Sequence, residues 1–193
     1  FFKIAFTQSE EAHLKAFLSS IIAWLKKLTA TPEPVATQPQ PPATPNELPW
    51  ITLAKKEMGQ KEIAGSKHNP RILEYHKTTT IKATEDEVAW CSSFVCWVFT
   101  QLKYLTTRSA RAKSWLDWGV ELEVPIPGCL VIFTRNGGGH VGFYESGYRS
   151  GWINTLGGNQ SNTVKYSNYL EKNVLGYRWP KEYPLPSGAK VKK

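Results

Sequence analysis

Two residues in this sequence have side chains and surroundings suited to a nucleophile and its base. Cys91 opens an apolar run with helical spacing, and His140 follows three glycines and begins a strand-like run. A helix N-terminus lowers the pKa of a thiol, and its unpaired N–H groups can stabilise an oxyanion. The imidazole can accept the thiol proton, often giving a thiolate–imidazolium pair at neutral pH. A buried structural cysteine and a surface-loop histidine are the alternative interpretations.

The sequence offers no second reactive thiol and no metal site. Cys96 lies five residues after Cys91 and faces another side of the predicted helix, while Cys129 lies in an apolar strand pattern. Three cysteines without a CxxC motif form neither a disulfide framework nor a zinc site. No loop has the alternating Asp and Asn spacing of a calcium site. We therefore expect no cofactor and no metal. The other histidines lack the context of His140 and are expected to be ordinary: His13, His68 and His76.

A third group is expected to orient the imidazole. Asn159 follows the predicted strand after His140, so adjacent antiparallel strands would bring its amide near the ring. An amide oxygen can accept a hydrogen bond from a ring N–H without carrying charge. A turn asparagine after two glycines is the alternative interpretation, and Glu145 and Asn154 are weaker candidates for the same role.

The elements that must position these residues change type along the chain. Helical patterns come first, and strand patterns separated by glycine and asparagine clusters follow, which is typical of an α+β fold. The predicted helices cover residues 50–58, 70–75, 91–105 and 110–118. The predicted strands cover residues 130–134, 140–146, 151–156, 164–166 and 174–179.

The sequence divides into four parts. Residues 1–28 form an amphipathic helical extension, residues 29–47 a proline-rich linker, residues 48–184 the main domain and residues 185–193 a basic tail expected to be disordered. Proline-rich segments behave as semi-rigid spacers and build no core. Lysines interrupt the first helix, which argues against a membrane span, and no clear signal-peptide pattern is present. That helix could dock on the domain, self-associate, lie on a membrane surface or end an upstream domain.

The net charge of +8 favours polyanionic partners such as bacterial wall polymers, anionic lipid or nucleic acid. The charge is spread along the chain, and neither a helix-turn-helix nor a zinc pattern is present. We therefore expect no nucleic-acid binding. Contact with an anionic wall polymer or membrane surface through the N-terminal helix remains an expectation.

Four segments in order resemble the CHAP-type branch of the NlpC-like cysteine peptidases, the cysteine, histidine-dependent amidohydrolases/peptidases. The resemblance covers roughly residues 50–180. The segments are Trp90-Cys91-Ser92-Ser93-Phe94-Val95, Pro127-Gly128-Cys129-Leu130-Val131-Ile132-Phe133, Gly139-His140-Val141-Gly142-Phe143-Tyr144 and Gly158-Asn159-Gln160.

The resemblance implies a papain-like α+β fold, with Cys91 as nucleophile, His140 as base and Asn159 as the third polar residue. It implies cleavage of an amide bond in peptidoglycan, either the N-acetylmuramoyl-L-alanine link or a peptide bond, at the bacterial cell wall in the periplasm or outside the cell. Many relatives are phage endolysins, and others are bacterial wall hydrolases or toxins. The chain departs from many relatives at Cys129, where they have Asp, and at Gly157, where they have Glu. A non-catalytic peptidoglycan-binding module with a degenerate hydrolase fold is the alternative.

Overall fold

Helices precede an antiparallel sheet in the computed structural model, which describes residues 47–135 and 137–192. Within these residues the chain forms an α+β fold, as the sequence predicts. The helices are α1 (Pro49–Lys56), α2 (Pro70–Lys77), α3 (Cys91–Gln101) and two short 3-10 helices, Ala112–Asp117 and Glu171–Asn173. The strands are β1 (Val120–Leu122), β2 (Leu130–Arg135), β3 (Gly138–Arg149), β4 (Trp152–Gly157), β5 (Lys165–Leu170) and β6 (Val174–Trp179).

Helices α1 and α2 each begin with proline at the first helical position, where its missing N–H costs nothing. Asn69 caps α2 by accepting a hydrogen bond from the backbone N–H of Arg71 at 2.9 Å. α1 is fixed to the sheet side because the Trp50 indole donates to the carbonyl of Gly128 at 2.8 Å. These contacts hold both helices around the longer α3.

Helix α3 is the centre of the core. Every residue from Cys91 to Phe99 is buried, because the helix is apolar or small on all sides and lacks a solvent face. Phe94 and Phe99 both pack on Phe143 of β3, with ring centroids 6.4 and 5.9 Å apart. This packing sets the first turn of α3 against the sheet near the start of β3.

A buried carboxylate orders the chain that leads into α3. Asp86 is inaccessible to solvent and accepts backbone hydrogen bonds from Ile63 at 2.9 Å and Asn69 at 2.8 Å. Its other oxygen lies 3.2 Å from Nδ1 of His68. These hydrogen bonds lower the pKa of Asp86 although burial opposes them. The acidic segment before Cys91 therefore has a structural role.

The six strands form one antiparallel sheet in the order β1-β6-β2-β3-β4-β5. His140 on β3 pairs with Phe133 on β2, and Phe143 pairs with Leu156 on β4. β4 in turn pairs with β5 along its whole length. His140 thus lies in an interior strand, with the turn after β4 on one side and β2 on the other.

Three features differ from the sequence predictions. α3 ends at Gln101 instead of 105, because Lys103 adopts φ +60° and the Tyr104 N–H returns to the carbonyl of Phe99 at 3.0 Å. Residues 112–117 form a 3-10 helix, which brings Trp115 and Trp118 into contact at 4.9 Å. The basic tail was expected to be disordered, but its residues 190–192 are ordered. They pair with strand β1, which the sequence did not predict.

The predicted helical extension, residues 1–28, and all but the last residue of the predicted linker, residues 29–47, lie outside the described residues. Among the helices of residues 47–135 and 137–192, none has the length and apolar character needed to cross a membrane.

Candidate active site

Cys91 is the first residue of α3, as predicted, and it is buried beside β3. The burial raises the pKa of its thiol. The backbone N–H groups of Val141 and Ser92 lie near the sulfur and act in the opposite direction, as does the positive charge of Arg135. Because Val141 directly follows His140, the thiol lies near the strand position next to the imidazole, and no hydrogen bond joins the two side chains in the described residues.

His140 is inaccessible to solvent, and its Nε2 has two partners. Nε2 lies 3.2 Å from Oε1 of Gln160 and 3.2 Å from the hydroxyl of Tyr169. The Tyr169 ring also stacks on the imidazole, with centroids 5.0 Å apart and planes inclined by 29°. Phe133 packs on Tyr169 at 4.7 Å and holds this stack against the sheet. The imidazole is therefore fixed in both position and orientation.

The hydrogen bonds of Gln160 determine which nitrogen of His140 carries the proton. The Gln160 amide nitrogen donates to the backbone carbonyls of Thr155, at 3.2 Å, and Lys165. Carbonyls only accept hydrogen bonds, so the amide oxygen of Gln160 must be the atom that faces the imidazole. That oxygen also only accepts, so Nε2 of His140 carries the hydrogen. In the neutral ring, Nδ1 is then the nitrogen with a free lone pair.

Nδ1 of His140 is buried and has no hydrogen-bond partner within residues 47–135 and 137–192. A buried polar atom without a partner is uncommon in folded proteins and often belongs to a functional site. Here the unpartnered atom is the only basic atom of the neutral imidazole. It is the atom that can take a proton from an incoming acid such as the Cys91 thiol.

The pKa shifts of Cys91 and His140 do not favour the thiolate–imidazolium state that the sequence pattern indicated. Burial and, to a smaller extent, the positive charge of Arg135 lower the pKa of His140 to about 4, although the hydrogen bond that the ring donates to Gln160 acts in the opposite direction. Burial also raises the pKa of Cys91. Both pKa shifts favour a neutral thiol and a neutral imidazole before substrate binds. In such a pair the proton leaves sulfur only as the sulfur attacks.

The structure does not bring the Asn159 side chain to the imidazole. Asn159 adopts φ +54° in the turn after β4 and is half-buried, and no hydrogen bond joins it to His140. Gln160, the next residue, occupies the position that the sequence assigned to Asn159. A residue in the left-handed conformation turns the chain, so the following side chain points inward, which alternation along a strand does not reveal. The only sequence signal for Gln160 was its adjacency to Asn159.

The weaker candidates for the third position also lie elsewhere. Asn154 donates a hydrogen bond to Asn168 at 2.8 Å. Neither Asn154 nor Glu145 is hydrogen-bonded to His140 in the described residues. Cys96 and Cys129 are fully buried, in line with their predicted core positions.

Two histidines expected to be ordinary are structural. His76 is fully buried and lies 3.1 Å from the Ser93 hydroxyl, and burial lowers its pKa. Nδ1 of His68 lies within hydrogen-bond distance of the buried Asp86 carboxylate, at 3.2 Å. Among the described residues no group of three or more His, Cys, Asp or Glu side chains could hold a metal ion.

The turn after β4 approaches α3 closely enough to require glycine. A Cβ atom on Gly158 would lie 2.6 Å from the Trp90 ring and 2.7 Å from Cβ of Phe94. Trp90 immediately precedes Cys91 and is itself held by a hydrogen bond from its indole to Glu62 at 2.8 Å. Gly158 therefore sets the distance between the start of α3 and the turn that carries Gln160.

Cys91 lines a cavity of about 470 Å³, which is large enough for a small ligand or a short peptide segment. Its walls come from the start of α3, the end of β2, the start of β3 and residues 110–113. The lining residues are Ala89, Cys91, Ala110, Arg111, Ala112, Lys113, Arg135, Gly137, Gly138 and Gly139. A buried thiol at the wall of a cavity, beside an imidazole with a free nitrogen, can attack a carbonyl group that enters the cavity.

Comparison with known proteins agrees with the sequence resemblance. The family model of the CHAP domain matches residues 83–159, which include Cys91, His140 and Asn159 and end one residue before Gln160. No curated protein matches the chain. CHAP domains are in general cysteine- and histidine-dependent amidohydrolases or peptidases that act on peptidoglycan. The resemblance is thus confirmed over residues 83–159, the part of this chain that matches the CHAP domain model.

Proposed function

We propose that this chain hydrolyses an amide bond of peptidoglycan, with Cys91 as nucleophile, His140 as base and Gln160 as the group that orients the imidazole. The observation that carries the proposal is the buried, unpartnered Nδ1 of His140, whose opposite nitrogen is held by Gln160. The general activity of CHAP domains supplies the substrate class. Gln160 replaces Asn159 in this role, because the imidazole is hydrogen-bonded to Gln160 and not to Asn159.

The proposed reaction begins with both groups neutral. The thiol proton of Cys91 moves to Nδ1 of His140 as sulfur bonds to the amide carbon, and the carbonyl oxygen takes up the negative charge. Unpaired N–H groups in the first turn of α3 stabilise that charge. When the C–N bond breaks, Nδ1 returns the proton to the amine and leaves a thioester on Cys91. Water, deprotonated by Nδ1, then hydrolyses the thioester and restores the thiol.

The α+β arrangement, with a cysteine at a helix start against a histidine on an antiparallel sheet, supports a papain-like fold. We propose that residues 48–184 form the catalytic domain, to which the pairing of residues 190–192 with β1 adds part of the basic tail. Residues 1–28 and 29–47 would serve as a targeting helix and a linker. The site of action would be the cell wall, in the periplasm or outside the cell.

The experiment that tests the proposed function is digestion of purified peptidoglycan by the full chain. Mass spectrometry of the released fragments, with labelling of the new amino groups, identifies the bond that is cut. A new amino group on the alanine that had been linked to muramic acid indicates an amidase, and one on a residue farther along the peptide indicates an endopeptidase. Absence of any new amino group, with a folded protein, would contradict the proposal and favour a non-catalytic binding module.

A further inference from the structure

Three cations line the cavity beside Cys91, and none of the described residues that line it is acidic. Arg111 and Lys113 lie on one wall, and Arg135 lies at the end of β2 on the other. All three are exposed, and none forms an ion pair with a carboxylate of the described residues. Elsewhere in the same residues, Arg71 and Arg178 are paired with glutamates. The positive charge at this cavity is therefore uncompensated by neighbouring side chains.

The wall that carries Arg111 and Lys113 is fixed to the helix of the nucleophile. Ser92, next to Cys91, donates a hydrogen bond to the carbonyl of Ser109 at 2.6 Å and accepts one from the Trp115 indole at 2.8 Å. Trp115 is fully buried. The segment between these anchors cannot shift without breaking them, so both cations have fixed backbone positions relative to the thiol.

Arg135 borders the reacting groups more closely than the other two cations. It lines the cavity of Cys91 and also a second hollow of about 480 Å³ formed with Phe133, Thr134, Tyr169 and Asn173. Its charge affects the pKa of Cys91, His140 and Tyr169. Arg135 therefore lies where two hollows meet, beside the stack of Tyr169 and His140.

We propose that this cavity is a subsite for a carboxylate, so that the preferred substrate is an acidic peptide with a free carboxyl group next to the amide that is cut. The inference rests on the proposed function for the reaction at Cys91. The positions of the three cations do not depend on that function. Guanidinium and ammonium groups are the side chains that recognise carboxylates, and a cavity with walls of one sign concentrates ligands of the other sign. A general basic surface would not require all three cations to border the nucleophile.

The first test measures whether the cavity favours an anionic reagent over a neutral one, and it requires no enzymatic turnover. Cys91 of the full chain is alkylated at about pH 8.5 with iodoacetate, an anion, or iodoacetamide, its neutral analogue, and mass spectrometry gives each rate at Cys91. The ratio of the two rates cancels the fraction of thiolate. We expect a ratio about 5-fold above that of N-acetylcysteine in wild type, and a return towards it in Arg135→Gln combined with Lys113→Gln.

Matched variants separate charge from structure. Arg135→Lys keeps the charge and should keep the ratio, and Lys181→Gln removes an exposed lysine that does not line the cavity and should leave the ratio unchanged. A wild-type ratio equal to that of N-acetylcysteine would overturn the inference. So would a ratio unaffected by neutralising Arg111, Lys113 and Arg135 together, or failure of both reagents to reach Cys91.

The second test uses pairs of soluble peptidoglycan fragments that differ only in a free or an amidated carboxyl group beside the cut amide. We expect KM to be about 5-fold lower for the free carboxylate, and the difference to disappear in the double variant. Equal cleavage of both fragments would overturn the carboxylate subsite and leave the proposed function standing. If neither fragment is cleaved, the result counts against the proposed function. The alkylation ratio is then the measurement that tests the carboxylate subsite.

Discussion

The side chain of Gln160 accepts a hydrogen bond from Nε2 of His140 at 3.2 Å, and its own amide nitrogen is held by two backbone carbonyls. This arrangement allows only one orientation of the amide and only one tautomer of the neutral imidazole. The turn after β4 therefore determines the chemistry of a residue on β3. It leaves Nδ1 of His140 as the nitrogen with a free lone pair, which the proposed mechanism uses as the proton acceptor.

Replacing Gln160 should reduce catalysis more than replacing Asn159. In Gln160→Ala the imidazole loses the partner that sets its tautomer, and we expect kcat to fall by about 10- to 100-fold. Asn159→Gly removes the neighbouring side chain and tolerates φ +54°, so it is the matched control and should retain most activity. Fragment release from peptidoglycan measures both. A large loss in Asn159→Gly with none in Gln160→Ala would restore Asn159 as the orienting group.

The thiol of Cys91 should stay protonated, and therefore react slowly with alkylating reagents, at neutral pH. Because burial raises its pKa and lowers that of His140 to about 4, we expect its alkylation by iodoacetamide to stay slow at neutral pH and to accelerate only above the ordinary thiol pKa. The rate at Cys91 as a function of pH, followed by mass spectrometry, checks this. Fast alkylation under mildly acidic conditions would instead indicate the thiolate–imidazolium pair that the sequence pattern suggested.

The buried His140 should also make the stability of the domain depend on pH. Its pKa is about 4 in the folded state and about 6.5 when unperturbed, so the unfolded chain binds more protons between these values. The stabilisation from keeping the ring neutral is complete above pH 6.5 and is lost as pH falls towards 4, by about 3 kcal/mol in total.

Denaturant unfolding of wild type and His140→Asn across this pH range measures that contribution. His76 titrates in both proteins, so the difference between their slopes belongs to His140. Equal slopes in the two proteins would show that the His140 ring is not held neutral by burial.

Gly158→Ala should disturb both folding and catalysis. The added methyl group would meet the Trp90 ring at 2.6 Å, so the turn after β4 must move away from the start of α3. We expect a loss of about 1–3 kcal/mol in the free energy of unfolding, together with lower activity. Gly147→Ala is the control, because a Cβ there meets nothing within 4 Å. Similar behaviour of the two variants would show that the close approach at Gly158 is unimportant.

The sequence predicts the positions of the two reactive residues because each lies at a clear change of pattern. Cys91 begins the apolar helix α3 as predicted, although that helix ends earlier than expected, and His140 lies two residues after the start of β3. Gln160 could not be predicted, since the positive φ at Asn159 changes which side chain points inward. The buried position of His76 was detectable, because it shares the i, i+3, i+4 spacing of Ile72 and Tyr75.

Other differences depend on contacts between distant parts of the chain. β1 has three residues and is stabilised by pairing with β6 and with Val191, neither of which local sequence reveals. The same holds for the basic cavity, whose cations come from two separate segments, around residue 112 and at residue 135. Net charge alone did not locate this concentration of positive charge.

The most direct test of the central claim is detection of the thioester on Cys91. Rapid acid quenching of a reaction between the full chain and soluble peptidoglycan fragments, followed by peptide mass spectrometry, should place the acyl adduct on the peptide that contains Cys91. Cys91→Ala should show neither adduct nor hydrolysis, whereas Cys96→Ala and Cys129→Ala should keep both chemical steps. Hydrolysis that persists in a folded Cys91→Ala variant, or an adduct on another residue, would contradict the assignment of Cys91 as the nucleophile.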